Sequence, residues 1–188
     1  MYGVLAKLPS VHHFLATQYN KTQDSSLAPK SWAGCRIVLC HKAGSIDDPA
    51  NFRPLALSSC LGKPYHCIKA QRMADFMVAN GYINTSTQKA FLQGINGCVE
   101  HIKVLQEIIQ DAKANKKTVH FSWFDLTDAF GSISHFLIDF CMKHFNVPEK
   151  AIHYINNLYS QLQGKVVTKE WSSDIFTFLK GVFQGDPY

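Results

Sequence analysis

The chain has 188 residues, 46% hydrophobic and 18% charged, which is enough for one sizeable domain or two small lobes with a core and is unlike a disordered chain. The formal charge of +5 is uneven: residues 1–94 carry ten Lys/Arg against four Asp/Glu, and residues 95–188 carry nine against ten. A basic front half suits a polyanion such as nucleic acid or an ordinary solvated surface, while the apolar runs are too short to span a bilayer. Residues 1–31 read as polar and irregular after a short apolar start, with no signal peptide. CRIVLCH (35–41) and LALSS (55–59) read as two strands joined by the turn-forming stretch KAGSIDDPANFRP. From Cys60 the pattern turns helical, with Leu61, Tyr65, Ile68, Phe76 and Met77 on one face and Gly81 at the stop. A second helix is expected over 97–112, with Val99, Ile102, Leu105 and Ile109 as its stripe.

TVHFSWFD (118–125) is rich in β-branched and aromatic residues and is expected to be a buried strand ending at Asp125. Helices follow at 133–145, with Ile133, Phe136, Leu137, Phe140 and His144 along one side, and at 149–162, with Ile152, Ile155, Leu158, Tyr159 and Leu162 inward. KVVTKEW and DIFTFLKG then form a hairpin through Ser172-Ser173-Asp174. This order is α+β, not a regular alternation of strands and crossover helices. The six cysteines (35, 40, 60, 67, 98 and 141) contain no CxxC pair and match no zinc finger spacing, so they read as reduced, mostly buried thiols of an intracellular protein.

A carboxylate at the end of a buried strand either holds a divalent cation, with the strand fixing the oxygen, or caps the turn that follows. The surrounding blocks bear on that choice. Asp125-Leu126-Thr127-Asp128-Ala129-Phe130 resembles motif A of reverse transcriptases. VLCHKAGSIDDPANFRPLALSS (38–59) resembles the fingers segment of non-LTR (LINE/R2-like) retrotransposon reverse transcriptases, and QKAFLQGINGCVEH (88–101) the block after it, with Ala90 where glycine is usual. GVFQGDP (181–187) resembles motif B.

The resemblance, over roughly residues 32–187, implies a right-hand polymerase: an N-terminal extension (1–31), fingers (32–117) and part of a palm (118–188), with an incomplete palm sheet and no thumb. It implies RNA-directed DNA synthesis in a full-length retrotransposon parent by two-metal nucleotidyl transfer. RNA template, DNA primer and deoxynucleoside triphosphates would be the partners, Mg2+ the cofactor, and the cytoplasm or nucleus the location, with no membrane involved. Asp125 would bridge the metal ions, and Leu126 would offer its carbonyl to one of them. Lys42 and Arg53 would hold the triphosphate, Arg53 by the bidentate geometry a lysine lacks. Asp128 and Ala129 would present backbone N–H groups to it; for the Asp128 side chain, turn capping is the other reading. Phe130 would pack under the sugar and exclude a 2′-hydroxyl, or else belong to the core. Gln184 would hold the incoming nucleotide, or else sit in a simple turn. Gln88 and Phe91 would bear on the template or on fingers packing.

Two departures matter. The later block, an aromatic before paired aspartates, is absent; the one Asp-Asp pair is Asp47-Asp48, in the hairpin tip. Gly131 stands where an aspartate is often found. One carboxylate cannot clamp two divalent ions, so the chain alone is expected to bind Mg2+ weakly and to extend no primer. The alternatives are a catalytically dead nucleic-acid-binding remnant of a retroelement, or a fragment of an RNA-dependent RNA polymerase. Phe130 speaks against the latter, because such an enzyme must admit the 2′-hydroxyl.

Overall fold

A computed structural model describes residues 7–90, 92 and 94–185. The chain is α+β and divides into two compact units, one formed by residues up to Gln71 together with those from Asp128, the other by Arg72–Thr127.

The first unit begins with α1 (Pro9–Ser25), where irregular chain was expected. Pro9 suits a first helical turn, and Ser26 ends the helix in the left-handed region at φ 54, its N–H donating to Thr22 O. The sequence PSVHHFLATQYNKTQDS has no clean apolar stripe, which hides the helix from periodicity. A few specific contacts hold it instead: the Tyr19 hydroxyl donates to Leu61 O at 2.8 Å, its ring meets Trp32 edge-on at 5.9 Å, and Gln23 Oε1 accepts from Lys69 Nζ at 2.6 Å.

β1 (Gly34–His41) and β2 (Phe52–Leu57) pair antiparallel from Arg36↔Leu57 to His41↔Phe52. β2 starts earlier than expected and contains Pro54, which an edge strand tolerates because its outer N–H groups face no partner strand. β3 (Gln163–Val166) lies parallel to β1, with Gly34 opposite Gln163 and Ile37 opposite Val166, and β4 (Phe176–Thr177) closes the order β2-β1-β3-β4. The turn after β3 falls at 168–171, not at 172–174. The Thr168 hydroxyl accepts from the N–H groups of Glu170 and Trp171, and Thr168 N donates to Trp171 O. A side-chain-stabilised turn of this kind carries no glycine or proline to announce it.

α2 (Gly62–Ala79) begins in this unit; its buried first turns carry Tyr65, His66 and Lys69. A four-residue helix, α4 (Ala129–Ser132), precedes α5 (His135–His144) and α6 (Glu149–Tyr159). On α6, Ile152, Ile155, Leu158 and Tyr159 are buried as their spacing predicts, with Tyr154 and Leu162 enclosed almost completely. Burial alternates along β1: Cys35 and Ile37 point into the core, Arg36 does not. At the centre, Tyr65 lies edge-on to Tyr154 at 5.2 Å, His66 Nε2 meets the Tyr154 hydroxyl at 2.9 Å, and the Lys69 ammonium sits 5.7 and 5.9 Å from the two tyrosine rings. Aromatic faces and the Gln23 oxygen help to compensate a cation that has left water.

The second unit holds the end of α2, stopped by Gly81 at φ 71, and α3 (Gly97–Ala114), which follows the expected range closely. Lys89 and Glu100 pair at 2.7 Å. Residues 118–125, expected as a buried strand, form no ladder, and Trp123 and Phe124 are 79% and 96% exposed. A strand is completed only by a partner for its backbone groups, and this unit contains no strand among the described residues. None of the six cysteines forms a disulfide, and only Cys35 is buried; Cys40, Cys60, Cys67 and Cys98 are exposed, against the expectation of mostly buried thiols. Among the described residues no helix is long and apolar enough to cross a membrane.

Candidate nucleotide and nucleic-acid site

Two turns distant in sequence cross within the first unit. Asp128 takes a left-handed conformation (φ 50) and opens α4, whose Ser132 N–H returns to Asp128 O at 2.9 Å. Against it runs the segment from Gly181. Gly181 N donates to Ile133 O at 2.7 Å, Val182 N donates to Phe130 O at 2.9 Å, and His135 Nε2 meets Gly181 O at 2.9 Å.

Glycine permits this approach. A Cβ on Gly181, itself at φ +84, would stand 2.9 Å from Gly131 O and 3.1 Å from Phe130 O. A Cβ on Gly131 would fall 2.7 Å from Asp128 Oδ1, so a side chain here, where an aspartate is often found, would require the Asp128 carboxylate to swing aside.

Beyond the crossing, Gln184 lies along the outer edge of β2, its carbonyl accepting from Ala56 N at 2.9 Å. The result is a cleft of about 150 Å3 lined by Ile37, Pro54, Ala56, Asp128, Phe183 and Gln184, among others. Asp128 and Gln184, both singled out from sequence, therefore line the same cleft. Ala129 and Phe130 follow Asp128 in the same short helix, with the Phe130 ring 45% exposed.

Lys42 and Arg53 lie elsewhere in this unit. Arg53 is opposite Cys40, and Lys42 N donates to Asn51 O, extending the ladder by one pair. Strand alternation then puts Arg36, Val38, Cys40, Lys42, Arg53, Leu55 and Leu57 on one face, and the cleft-lining Ile37, Pro54 and Ala56 on the other. Lys165 joins the first face through its register with Arg36. That face is open, with Leu55 39% and Leu57 48% exposed, and it is basic: Arg36, Lys42, Arg53 and Lys165 share it, and no carboxylate occurs on it among the described residues. Arg36 was legible as an even-numbered neighbour of Lys42 along a strand; Lys165 was not, because nothing local announces the parallel pairing that brings it there.

Asp125 and Leu126 belong to the other unit. Asp125 is exposed, its Oδ1 accepting from the N–H of the next residue, Leu126, at 2.9 Å. Leu126 is 79% exposed. Among the described residues no three His, Cys, Asp or Glu side chains converge on a point where a metal ion could sit, so these residues alone do not fit a divalent-cation site. Gln88 makes a local contact, Nε2 to Ala90 O at 3.2 Å. Phe91 and Asp186–Tyr188, which include the end of the motif B resemblance, lie outside the described residues.

Comparison with known proteins places this arrangement. Residues 40–188 match the family model described as reverse transcriptase (RNA-dependent DNA polymerase). The chain is similar to a retrovirus-related Pol polyprotein from the type-1 retrotransposable element R2 of Bradysia coprophila, 30% identical over 162 residues, covering 85% of this chain and 18% of that protein. It is also similar to the R2 polyprotein of Nasonia vitripennis, 26% identical and covering 95% of this chain and 17% of that protein. A probable RNA-directed DNA polymerase from transposon BS of Drosophila melanogaster is 30% identical over 123 residues, 65% of this chain and 13% of that protein. The chain thus spans about a fifth or less of the length of these relatives.

Proposed function

Because the chain belongs to the reverse transcriptase (RNA-dependent DNA polymerase) family, we propose that it is the nucleotide- and template-handling part of the polymerase of an R2-like non-LTR retrotransposon. In this reading residues 32–117 are fingers and 118–188 part of a palm, with 1–31 an N-terminal extension. The longer protein copies RNA into DNA from a primer and deoxynucleoside triphosphates, inside the cell, in cytoplasm or nucleus.

The observation that carries the reading is the crossing of the 128–132 and 181–184 turns, which puts Asp128 and Gln184 on one cleft beside Phe130. Backbone N–H groups at Asp128 and Ala129 face triphosphate oxygens, an arrangement that binds anions without a charged side chain. Gln184 holds the nucleotide in place. Phe130 lies under the sugar, where its ring would clash with a 2′-hydroxyl and so select deoxynucleotides. Lys42 and Arg53, with Arg36 and Lys165 on the same open face, attract substrate phosphates.

The family is in general one of divalent-metal-dependent polymerases, and Mg2+ is the ion we assign. Asp125 and the Leu126 carbonyl are this chain's candidates for holding it. Such an ion would neutralise charge on the reacting phosphates.

The test is dTTP incorporation on a poly(rA) template by a full-length polyprotein carrying this segment. Asp125→Ala should abolish synthesis while template binding is retained. Synthesis that survives the substitution would remove Asp125 from the reaction. A second reading, a nucleic-acid-binding remnant without catalysis, is favoured by two separate observations: Asp125 is exposed and joins no group of three metal-ligating side chains among the described residues, and the basic face of β1–β3 is intact. It predicts template binding with no incorporation even in the unsubstituted protein.

A further inference from the structure

We infer that His135 is a positioning residue that fixes one peptide plane, Gly181–Val182, and through it the place of Gln184 in the cleft. The inference rests on the nucleotide role proposed above for that cleft.

The C=O of Gly181 and the N–H of Val182 belong to one rigid plane. The N–H end is held by Phe130 O at 2.9 Å, and the C=O end by His135 Nε2 at 2.9 Å. A carbonyl only accepts, so Nε2 carries the proton in this contact. The imidazole is itself placed from two sides. It stacks on Tyr159 at 4.9 Å and 23°, and Tyr159 is buried on α6. The start of α5 is fixed by the Ser134 hydroxyl, which accepts from Leu137 N at 3.1 Å.

A clamp is needed here because of the residue it holds. Gly181 sits at φ +84, and glycine alone among residues crosses readily between this region and others. With the carbonyl unheld, the Gly181–Val182 plane keeps a single anchor, the Val182 N–H on Phe130 O, and rotates more readily. That rotation turns the Val182 N–H away from Phe130 O, and Gln184, two residues on, moves with it. One imidazole thus couples the residue that would bar the 2′-hydroxyl to the residue that would hold the nucleotide. Nothing in the local sequence singles His135 out; its partner lies at the other end of a fold-dependent crossing.

The test has two arms. In the 188-residue chain itself, nitrogen-resolved NMR reads the His135 tautomer, and hydrogen exchange reads the Val182 amide. Nε2–H is expected, with Val182 exchange accelerated in His135→Phe, which keeps a ring on Tyr159 but offers no donor. An Nδ1–H tautomer, or unchanged Val182 protection, overturns the inference whether or not the protein polymerises. In the full-length polyprotein, His135→Phe should raise the KM for dTTP roughly 3–10-fold, the worth of about one hydrogen bond, with kcat changed less. His135→Gln, whose amide nitrogen reaches the Nε2 position, should restore it, and His135→Asn, which is too short, should not. Should the Phe variant fail to fold, the Gln and Asn pair carries the comparison. A KM unmoved in Phe and Asn, or a Gln variant as impaired as Asn, overturns the inference. Loss of all synthesis in the unsubstituted protein overturns the proposed function instead and leaves the NMR arm to decide this one.

Discussion

Gly181 shows how much of the site depends on a missing atom. Its φ of +84 costs an L-residue about 1–2 kcal/mol, and an added Cβ would also press on Gly131 O at 2.9 Å, which is backbone and cannot swing aside. Gly181→Ala should therefore lower unfolding stability by more than the conformational cost alone, read from a denaturant titration of the chain. Phe130 offers a chemical test at the same scale. If its ring screens the sugar, Phe130→Val in a full-length polymerase raises ribonucleotide incorporation relative to deoxynucleotide; an unchanged ratio returns Phe130 to a packing role. Asp128, Gln184 and Phe130 were legible because the motifs that carry them are short and ordered. Lys165 and His135 were not, because each gains its place only through pairing with distant chain.

Among the elements, the α5–α6 hairpin carries an acid-sensitive bond. The Asp139 carboxylate receives Lys143 Nζ at 2.7 Å and Asn156 Nδ2 at 2.6 Å, and these contacts, the lysine's first, hold its pKa below the ordinary 3.8. A depressed carboxylate stabilises the fold above its unfolded value and loses that contribution as pH falls through the folded one. The hairpin should therefore weaken only in acid below 3.8, and modestly, since the Lys143 side chain is largely exposed. Asp139→Asn should flatten this acid dependence in helix content followed by circular dichroism, while a slope identical to the parent's would count against it. Periodicity gave the extents of α3 and α6 closely, and the expected inward residues of α6 are buried, but Leu61 and Ile68 of the α2 face, Val99 and Ile102 of the α3 stripe, and Phe136, Leu137 and Phe140 of α5 are exposed. It failed where structure depends on partners. α1 lacks a stripe and is held by point contacts, and residues 118–125 have the composition of a strand but find no strand among the described residues of their own unit.

For the molecule as a whole, the apolar side chains left in water are the dominant fact. Trp123, Phe124, Leu126, Phe136 and Leu179 are each more than three-quarters exposed, at 79, 96, 79, 77 and 88%. Exposed groups of this size favour association, so the purified 188-residue chain should elute as a concentration-dependent oligomer in light scattering and should extend no primer. A monodisperse monomer or measurable incorporation would contradict this. The parallel pairing of residues 34–37 with 163–166 has a separate bearing on how the protein is made. On the ribosome, β1 can close with β2 as soon as both have emerged, but its other edge waits until residues 163–166 have been translated. Contacts this distant in sequence form slowly, after most of the loop-closure cost has been met. During that wait the inner side of the hairpin, with Cys35 and Ile37, has no cover. The nascent protein should consequently depend on chaperones until β3 arrives, and a ribosome stalled before codon 163 should hold a protease-sensitive hairpin.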